Sequence, residues 1–263
     1  MKKLLLLVTL VCFIAAFGCT KTVKVEKLTV GATPVPHAEI LNLIKDDLKK
    51  DGVELAVIEF TDYVTPNIAL NDGQLDANFF QHQPYLDTFI RDRGMELVSL
   101  AGIHIEPLGL YSNKLKDISE LKDGVVIAIP NDPTNEGRAL LLLQSNGLIT
   151  LSDDAGLEGT PKNIVDNPKR IVFRELEAAQ LPRVLNDVDA AVINGNFAME
   201  AKLNPVADAI ILEGADSPYV NIIAVRIGSE NDPRLQALVK ALKTEKVKNY
   251  IIENYNGGVV AVF

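Results

Sequence analysis

Pro130-Asn-Asp-Pro-Thr-Asn-Glu-Gly-Arg138 lies between two apolar runs, Val125-Val-Ile-Ala-Ile129 and Ala139-Leu-Leu-Leu-Leu143. The first run reads as a buried strand and the second as a buried helix. Asp132 suits the helix N-cap and Pro133 the first helical position. This strand–turn–helix passage is the unit from which α/β folds are built. It also has a chemical reading. The free N–H groups of a helix start favour an anion. Asn135 and Arg138 are three residues apart and share one helix face. An Arg can hold a carboxylate through two parallel hydrogen bonds. A small carboxylate is the natural guest, and a plain turn with a surface Arg is the competing reading.

Working outward, strand-like and helix-like stretches alternate. Leu28-Thr-Val30 opens with a strand, and residues 36–50 read as an amphipathic helix through Ile40, Leu41, Ile44 and Leu48. Val53–Phe60 is strand, Pro66–Leu70 short helix, Asp76–Phe79 strand, Pro84–Arg91 helix and Leu97–Leu100 strand. A second block starts near Leu108. It holds the Val125–Ile129 strand, a helix from Pro133 to about Asn146 and a polar loop at 150–169. A helix near Glu177–Leu185, the strand Asp189–Ile193 and a helix from Asn196 follow. Pro233–Leu242 and Glu245–Tyr255 read as closing helices. The expectation is α/β, with largely parallel sheets, in two lobes joined by two crossover strands near 106–109 and 220–224.

The chain has 263 residues, 48% hydrophobic and 23% charged, with a formal charge of −9. Its length allows two domains, and its acidity argues against nucleic acid as a partner. Lys2 and Lys3 precede an apolar stretch, Leu4 to Phe17, too short to span a membrane comfortably. Residues 1–18 therefore read as a signal peptide. Removing them takes two lysines and leaves a formal charge of −11. Gly18-Cys19 resembles a bacterial lipoprotein box, which implies cleavage before Cys19 and acylation of its thiol, palmitate being one such acyl group. Cys12 leaves with the signal peptide, so no disulfide can form within the mature chain. Residues 19–26 read as a lipidated tether, 27–107 plus 224–263 as one lobe and 108–223 as the other. The expected location is the bacterial cell envelope, anchored by lipid and facing the periplasm or the exterior.

Catalytic signatures are absent. There is no G-x-G-x-x-G, G-x-x-x-x-G-K-[ST], H-E-x-x-H or G-x-S-x-G. His37, His82 and His104 are scattered and lack metal-ligand spacing. No enzyme, cofactor or metal is expected.

Candidate pocket residues lie at strand ends, where open α/β sheets place ligands. Phe80, His82 and Tyr85 follow one strand and Tyr63 follows another. Phe79 and Phe80 are strand neighbours that point opposite ways, and spacing leaves open which one faces a ligand. Asn194 and Asn196 sit in another strand-to-helix turn. Asn221 interrupts an apolar run, where it either ties the hinge or bonds the ligand.

Five passages together resemble one family. They are Pro34–Leu41, Asn71–Leu86, Pro130–Leu143, Ile193–Ala198 and Tyr219–Arg226. In their order and wording they are similar to the methionine-binding lipoproteins of ABC importers, the MetQ/NlpA family, from about residue 28 to Phe263. The resemblance implies a type II periplasmic-binding-protein fold with the ligand between the lobes. It implies that Arg138 pairs with the amino-acid carboxylate, that Asn194 and Asn221 hold the polar groups on the α-carbon, and that Asn135 supports them. Tyr63, Phe80, His82 and Tyr85 would enclose the side chain. The implied partners are L-methionine (with D-methionine a second candidate) or a close analogue, an ABC transporter permease, and a membrane reached through lipid on Cys19. Alternatives are a receptor for a methionine-containing dipeptide, a secreted hydrolase of small carboxylates, and a surface lipoprotein that binds an envelope or host partner.

Overall fold

A computed structural model describes residues 25–214 and 217–263. The expected signal peptide, Cys19 and most of the tether lie outside the described residues. Among the described residues, no helix is long and apolar enough to cross a membrane.

The strands are β1 (Glu26–Ala32), β2 (Val53–Glu59), β3 (Ala77–His82), β4 (Leu97–Ile105), β5 (Gly109–Tyr111), β6 (Val126–Pro130), β7 (Thr150–Leu151), β8 (Ile164–Asp166), β9 (Val172–Leu176), β10 (Ala190–Ile193), β11 (Ile211–Leu212), β12 (Val220–Arg226) and β13 (Val260–Ala261). They form a six-stranded sheet in the order β13-β4-β12-β3-β1-β2 and a five-stranded sheet in the order β11-β5-β10-β6-β9. These two sheets are the cores of two α/β lobes.

The sheets are mixed rather than largely parallel. β1 pairs in parallel with β2 and β3, but β12 runs antiparallel between β3 and β4, and β13 antiparallel to β4. In the second sheet β5 is antiparallel to both β10 and β11. The reason lies in connectivity. A strand that enters a sheet from the other lobe arrives against the direction of the strands built by helical crossovers. The crossings themselves are short. The chain leaves the first sheet between Ile105 and Gly109 and returns between Leu212 and Val220. β12 lies wholly in the first sheet, so the return comes a few residues before the expected boundary at 223.

Local departures have local causes. The expected helix over 36–50 is a turn at Pro34–Ala38 followed by helices Glu39–Leu43 and Lys45–Lys50, broken at Ile44. The helix expected near Glu177–Leu185 is a 3-10 turn, Ala178–Val184, with Pro182 inside it. Proline lacks the N–H that an α-helix needs there. The polar stretch 150–169 contains a β7–β8 pair and a tight turn, Gly156–Glu158.

Each lobe has its own apolar core. Leu28, Val30, Ile40, Leu41 and Ile44 pack with Leu235, Leu238, Leu242 and Ile251 from the two C-terminal helices, Pro233–Leu242 and Glu245–Tyr255. Ile127, Ile129, Leu140, Leu143 and Val192 centre the second. Each such side chain contributes roughly 1.5–3 kcal/mol when fully buried.

Gly137 sets the fit of the second lobe around the decisive helix, Pro133–Ser145. A Cβ there would stand 2.2 Å from the Leu157 carbonyl oxygen and 2.9 Å from the Gly159 nitrogen. Both are backbone atoms, so the 156–158 turn must shift. Overpacking of this kind costs ~1–3 kcal/mol, against about 1 kcal/mol that Ala gains over Gly inside a helix. Gly137→Ala is therefore expected to lower stability by ~1–2 kcal/mol in urea unfolding, and an unchanged midpoint would show that the turn does not press on the helix.

Candidate functional site

The decisive stretch folds as its residues suggest. Asp132 is the N-cap of helix Pro133–Ser145, and its Oδ1 accepts the Asn135 backbone N–H at 3.0 Å. Both Asp132 oxygens also accept from Asn135 Nδ2, at 2.9 and 3.1 Å. An ionised carboxylate only accepts, so the amide must turn its NH2 toward Asp132 and its oxygen away. Asn135 Oδ1 then receives Asn194 Nδ2 at 2.8 Å and His82 Nε2 at 3.1 Å. This assigns the His82 proton to Nε2. Its bare Nδ1 accepts the Tyr85 backbone N–H at 3.1 Å and so caps the helix Gln83–Arg93. Burial, and after it the charge of Arg138, push the His82 imidazole down to about 3, so it works as a neutral ring.

These residues surround one cavity of about 330 Å³ between the two sheets. All eight of the residues expected from sequence line it: Tyr63, Phe80, His82, Tyr85, Asn135, Arg138, Asn194 and Asn221. Phe80 faces it, while Phe79 lies in the core of the first lobe. Asn221 lines the cavity, and its Oδ1 lies 3.1 Å from His37 Nε2. Strand register accounts for its place, since in β12 it pairs with His82 on β3 and His104 on β4.

Arg138 is not an open cation. Its Nε and Nη2 donate to the two oxygens of Glu213, and Nη2 also donates to the Glu106 carbonyl at 2.9 Å. Its guanidinium lies 4.2 Å from the Tyr219 ring centre. Nη1 is left without a partner among the described residues. Glu213 was invisible to the sequence reading because it sits in the returning crossover, 75 residues away.

Glu106, Gln81, Gly195 and Asn196 also line the cavity. Sequence reasoning missed Glu106, which follows β4 directly at the first crossover. The rule that placed Phe80 and His82, ligands at strand ends, could have found it. Glu106 is buried and burial raises its carboxyl above the usual range. A side chain at Gly195 would meet the Glu106 Cβ at 2.9 Å, which explains the glycine. The three histidines, scattered in sequence, are also partly regrouped. His37 and His104 bring donor atoms to within 4.8 Å of one another and of Glu106. Two buried amide atoms, Asn194 Oδ1 and Asn196 Nδ2, have no hydrogen-bond partner among the described residues.

The cavity lining is mixed. Glu106, Arg138, Asn194 and Asn221 supply charge and hydrogen bonds. Aromatic rings complete it, with Tyr63 lying 6.0 Å from Phe80 and 5.9 Å from Tyr85, ring centre to ring centre. The lobes also meet across it. Tyr63 donates to Asn196 at 2.5 Å, and outside the cavity Arg91 forms a bidentate pair with Glu158 at 2.8 and 2.9 Å, with Thr88 donating to the same carboxylate at 2.7 Å.

Known proteins share this architecture. The model of the NlpA lipoprotein family matches residues 28–263. A probable D-methionine-binding lipoprotein MetQ from Vibrio cholerae is 42% identical, over 99% of this chain and 97% of its own length. The membrane lipoprotein TpN32 of Treponema pallidum is also 42% identical, over 94% of this chain and 92% of its own. Among solved structures, a nutrient-binding protein of Burkholderia cenocepacia bound to methionine superposes with a TM-score of 0.88 at 48% identity, covering 90% of this chain and all of the other. The five passages quoted from sequence, the two-lobed fold and these matches agree: the chain belongs to the NlpA lipoprotein family.

Proposed function

We propose that this protein is a receptor that closes two lobes over one molecule of free methionine and delivers it to the permease of an ABC importer. The observation that carries the reading is the lining of one inter-lobe cavity, which combines both signs of charge and unpartnered amides with aromatic rings. The Vibrio relative's name and the Burkholderia structure support methionine as the guest. The role is capture, without catalysis.

In this reading Arg138, through Nη1, and Asn196 Nδ2 take the ligand carboxylate. Glu106 and Asn194 Oδ1 face the ammonium, and Asn135 and Asn221 hold the surrounding amides in place. Tyr63, Phe80, His82 and Tyr85 enclose the thioether. A charge-assisted hydrogen bond contributes ~1.5–3 kcal/mol, so the guanidinium dominates orientation. Each sulfur–aromatic contact adds ~0.3–1.5 kcal/mol, enough to separate methionine from polar amino acids. Residues 27–107 with the C-terminal segment form one lobe and the intervening chain the other. Lipid on Cys19 holds the receptor at a membrane of the cell envelope, facing the periplasm or the exterior.

Arg138→Ala is expected to weaken methionine binding at least tenfold by calorimetry, and an unchanged dissociation constant would remove Arg138 from the site. Native mass spectrometry of freshly purified protein should find a bound mass equal to methionine, whereas the mass of a dipeptide would change the ligand. Acid should release it. Burial raises the Glu106 carboxyl, so it takes up a proton at higher pH than an ordinary Glu, and the neutral acid no longer attracts an ammonium. Affinity is thus full above that raised value and falls below it, by up to about tenfold per pH unit. A dissociation constant flat from pH 8 to pH 4 would exclude Glu106 from contact with the ligand's charge.

A further inference from the structure

Behind Glu106 the first lobe builds a small buried assembly. His37 Nε2 lies 3.2 Å and His104 Nε2 2.7 Å from the same oxygen, Glu106 Oε1. Thr33 Oγ1 is 2.7 Å from His37 Nδ1. Two acceptors, Glu106 Oε1 and Asn221 Oδ1, face His37 Nε2, so that nitrogen carries the hydrogen and the threonine hydroxyl donates to Nδ1. The same argument puts the His104 hydrogen on Nε2, since a carboxylate oxygen faces it. Burial holds both rings neutral, pushing His37 down to about 4 and His104 to about 3.

Two neutral donors have a particular effect on a carboxylate. They fix its plane and satisfy one oxygen, yet they cancel none of its charge. A Lys or Arg in either place would form an ion pair and leave little field for a guest. The second oxygen, Oε2, lies on the Gly195 side, 3.5 Å from where a Cβ on that residue would stand, and the Asn196 backbone N–H also bonds the carboxylate. The other charged or titratable groups around it are accounted for. Arg138 acts on Glu106 through space but is itself paired with Glu213, and burial raises the Tyr63 hydroxyl so that it stays neutral.

We propose that His37 and His104 are positioning residues, two neutral imidazoles that aim a still-charged Glu106 carboxylate at the ammonium of the bound amino acid. This rests on reading the cavity as a site for a free amino acid. It makes the pair the element that separates an α-amino acid from the corresponding deaminated acid, although neither ring lines the cavity.

The test is calorimetry of the full chain with two ligands, L-methionine and its deaminated analogue 4-methylsulfanylbutanoate. If the unaltered protein bound neither, the methionine reading itself would fail. Given binding, His104→Leu is expected to raise the methionine dissociation constant at least tenfold and that of the analogue less than threefold. His104→Gln, which keeps an N–H donor, should hold methionine within threefold of the parent. In a Glu106→Gln background, His104→Leu should leave the ratio of the two constants unchanged. Loss of a donor also raises the carboxyl, so the acid limb of methionine affinity should move to higher pH in His104→Leu. An equal loss for both ligands, an unaltered methionine constant, or an unmoved acid limb would overturn the proposal. Should His104→Leu not fold, His104→Asn, whose amide is too short to reach the carboxylate, carries the same expectations.

Discussion

The hydrogen bonds from the Asn135 amide to Asp132 set the direction of nearly everything else at the cleft. An acceptor-only carboxylate fixes which end of the amide faces inward. The inward oxygen then demands donors. It finds one in each lobe, Asn194 from the strand-end turn beside it and His82 from across the gap. Because His82 must donate through Nε2, its other nitrogen is left to accept, and that acceptor starts the helix Gln83–Arg93. One half-buried acid thus orients an amide, selects a tautomer and caps a helix in the opposite lobe. None of these groups could change its hydrogen-bonding sense alone without stranding a buried polar atom, at a cost of ~1–3 kcal/mol.

Much of this was legible in the chain. Asp132 as cap, Pro133 as first helical residue and the bounds of the two C-terminal helices follow from short-range rules, and the structure agrees. The cavity residues were legible for a related reason. Strand ends that turn into helices are where side chains can reach a cleft, so Tyr63, His82, Arg138 and Asn194 could be placed by position alone. What stayed hidden depends on partners distant in sequence. Glu213 meets Arg138 only because the returning crossover passes the helix, and Glu106, although only two residues from His104, meets His37 from the turn after β1 only through the tertiary fold. Mixed strand direction was hidden for the same reason. Periodicity reports which face of a strand is buried, not which way its neighbour runs.

Both lobes line the cavity with buried polar residues. Beside it, Asn67, Asn78 and Gln81 bond one another through amide groups, with Gln81 also reaching the cavity wall. Such a network is rigid because each amide's orientation constrains the next. The arrangement places soft, exchangeable contacts outside, at Arg91 and Glu158, which are exposed enough for salt to screen them. Firm ones lie inside, where the guest's polar groups must be met at fixed points. A cleft of this kind can open at its rim without losing the geometry of its floor.

The strand order also has a consequence for biogenesis. The five-stranded sheet draws every strand from residues 109–212, so all its partners have been synthesised before the last fifth of the chain appears. The six-stranded sheet cannot be completed until β12 and β13 emerge, because β12 fills its centre and β13 closes its edge beside Ile105. Until then β3 and β4 lack the strand that joins them, and their open edges are the kind that invite mispairing. A nascent chain that pauses late in translation would therefore carry one finished half and one with a vacant central slot, and that half is where a chaperone would find its purchase.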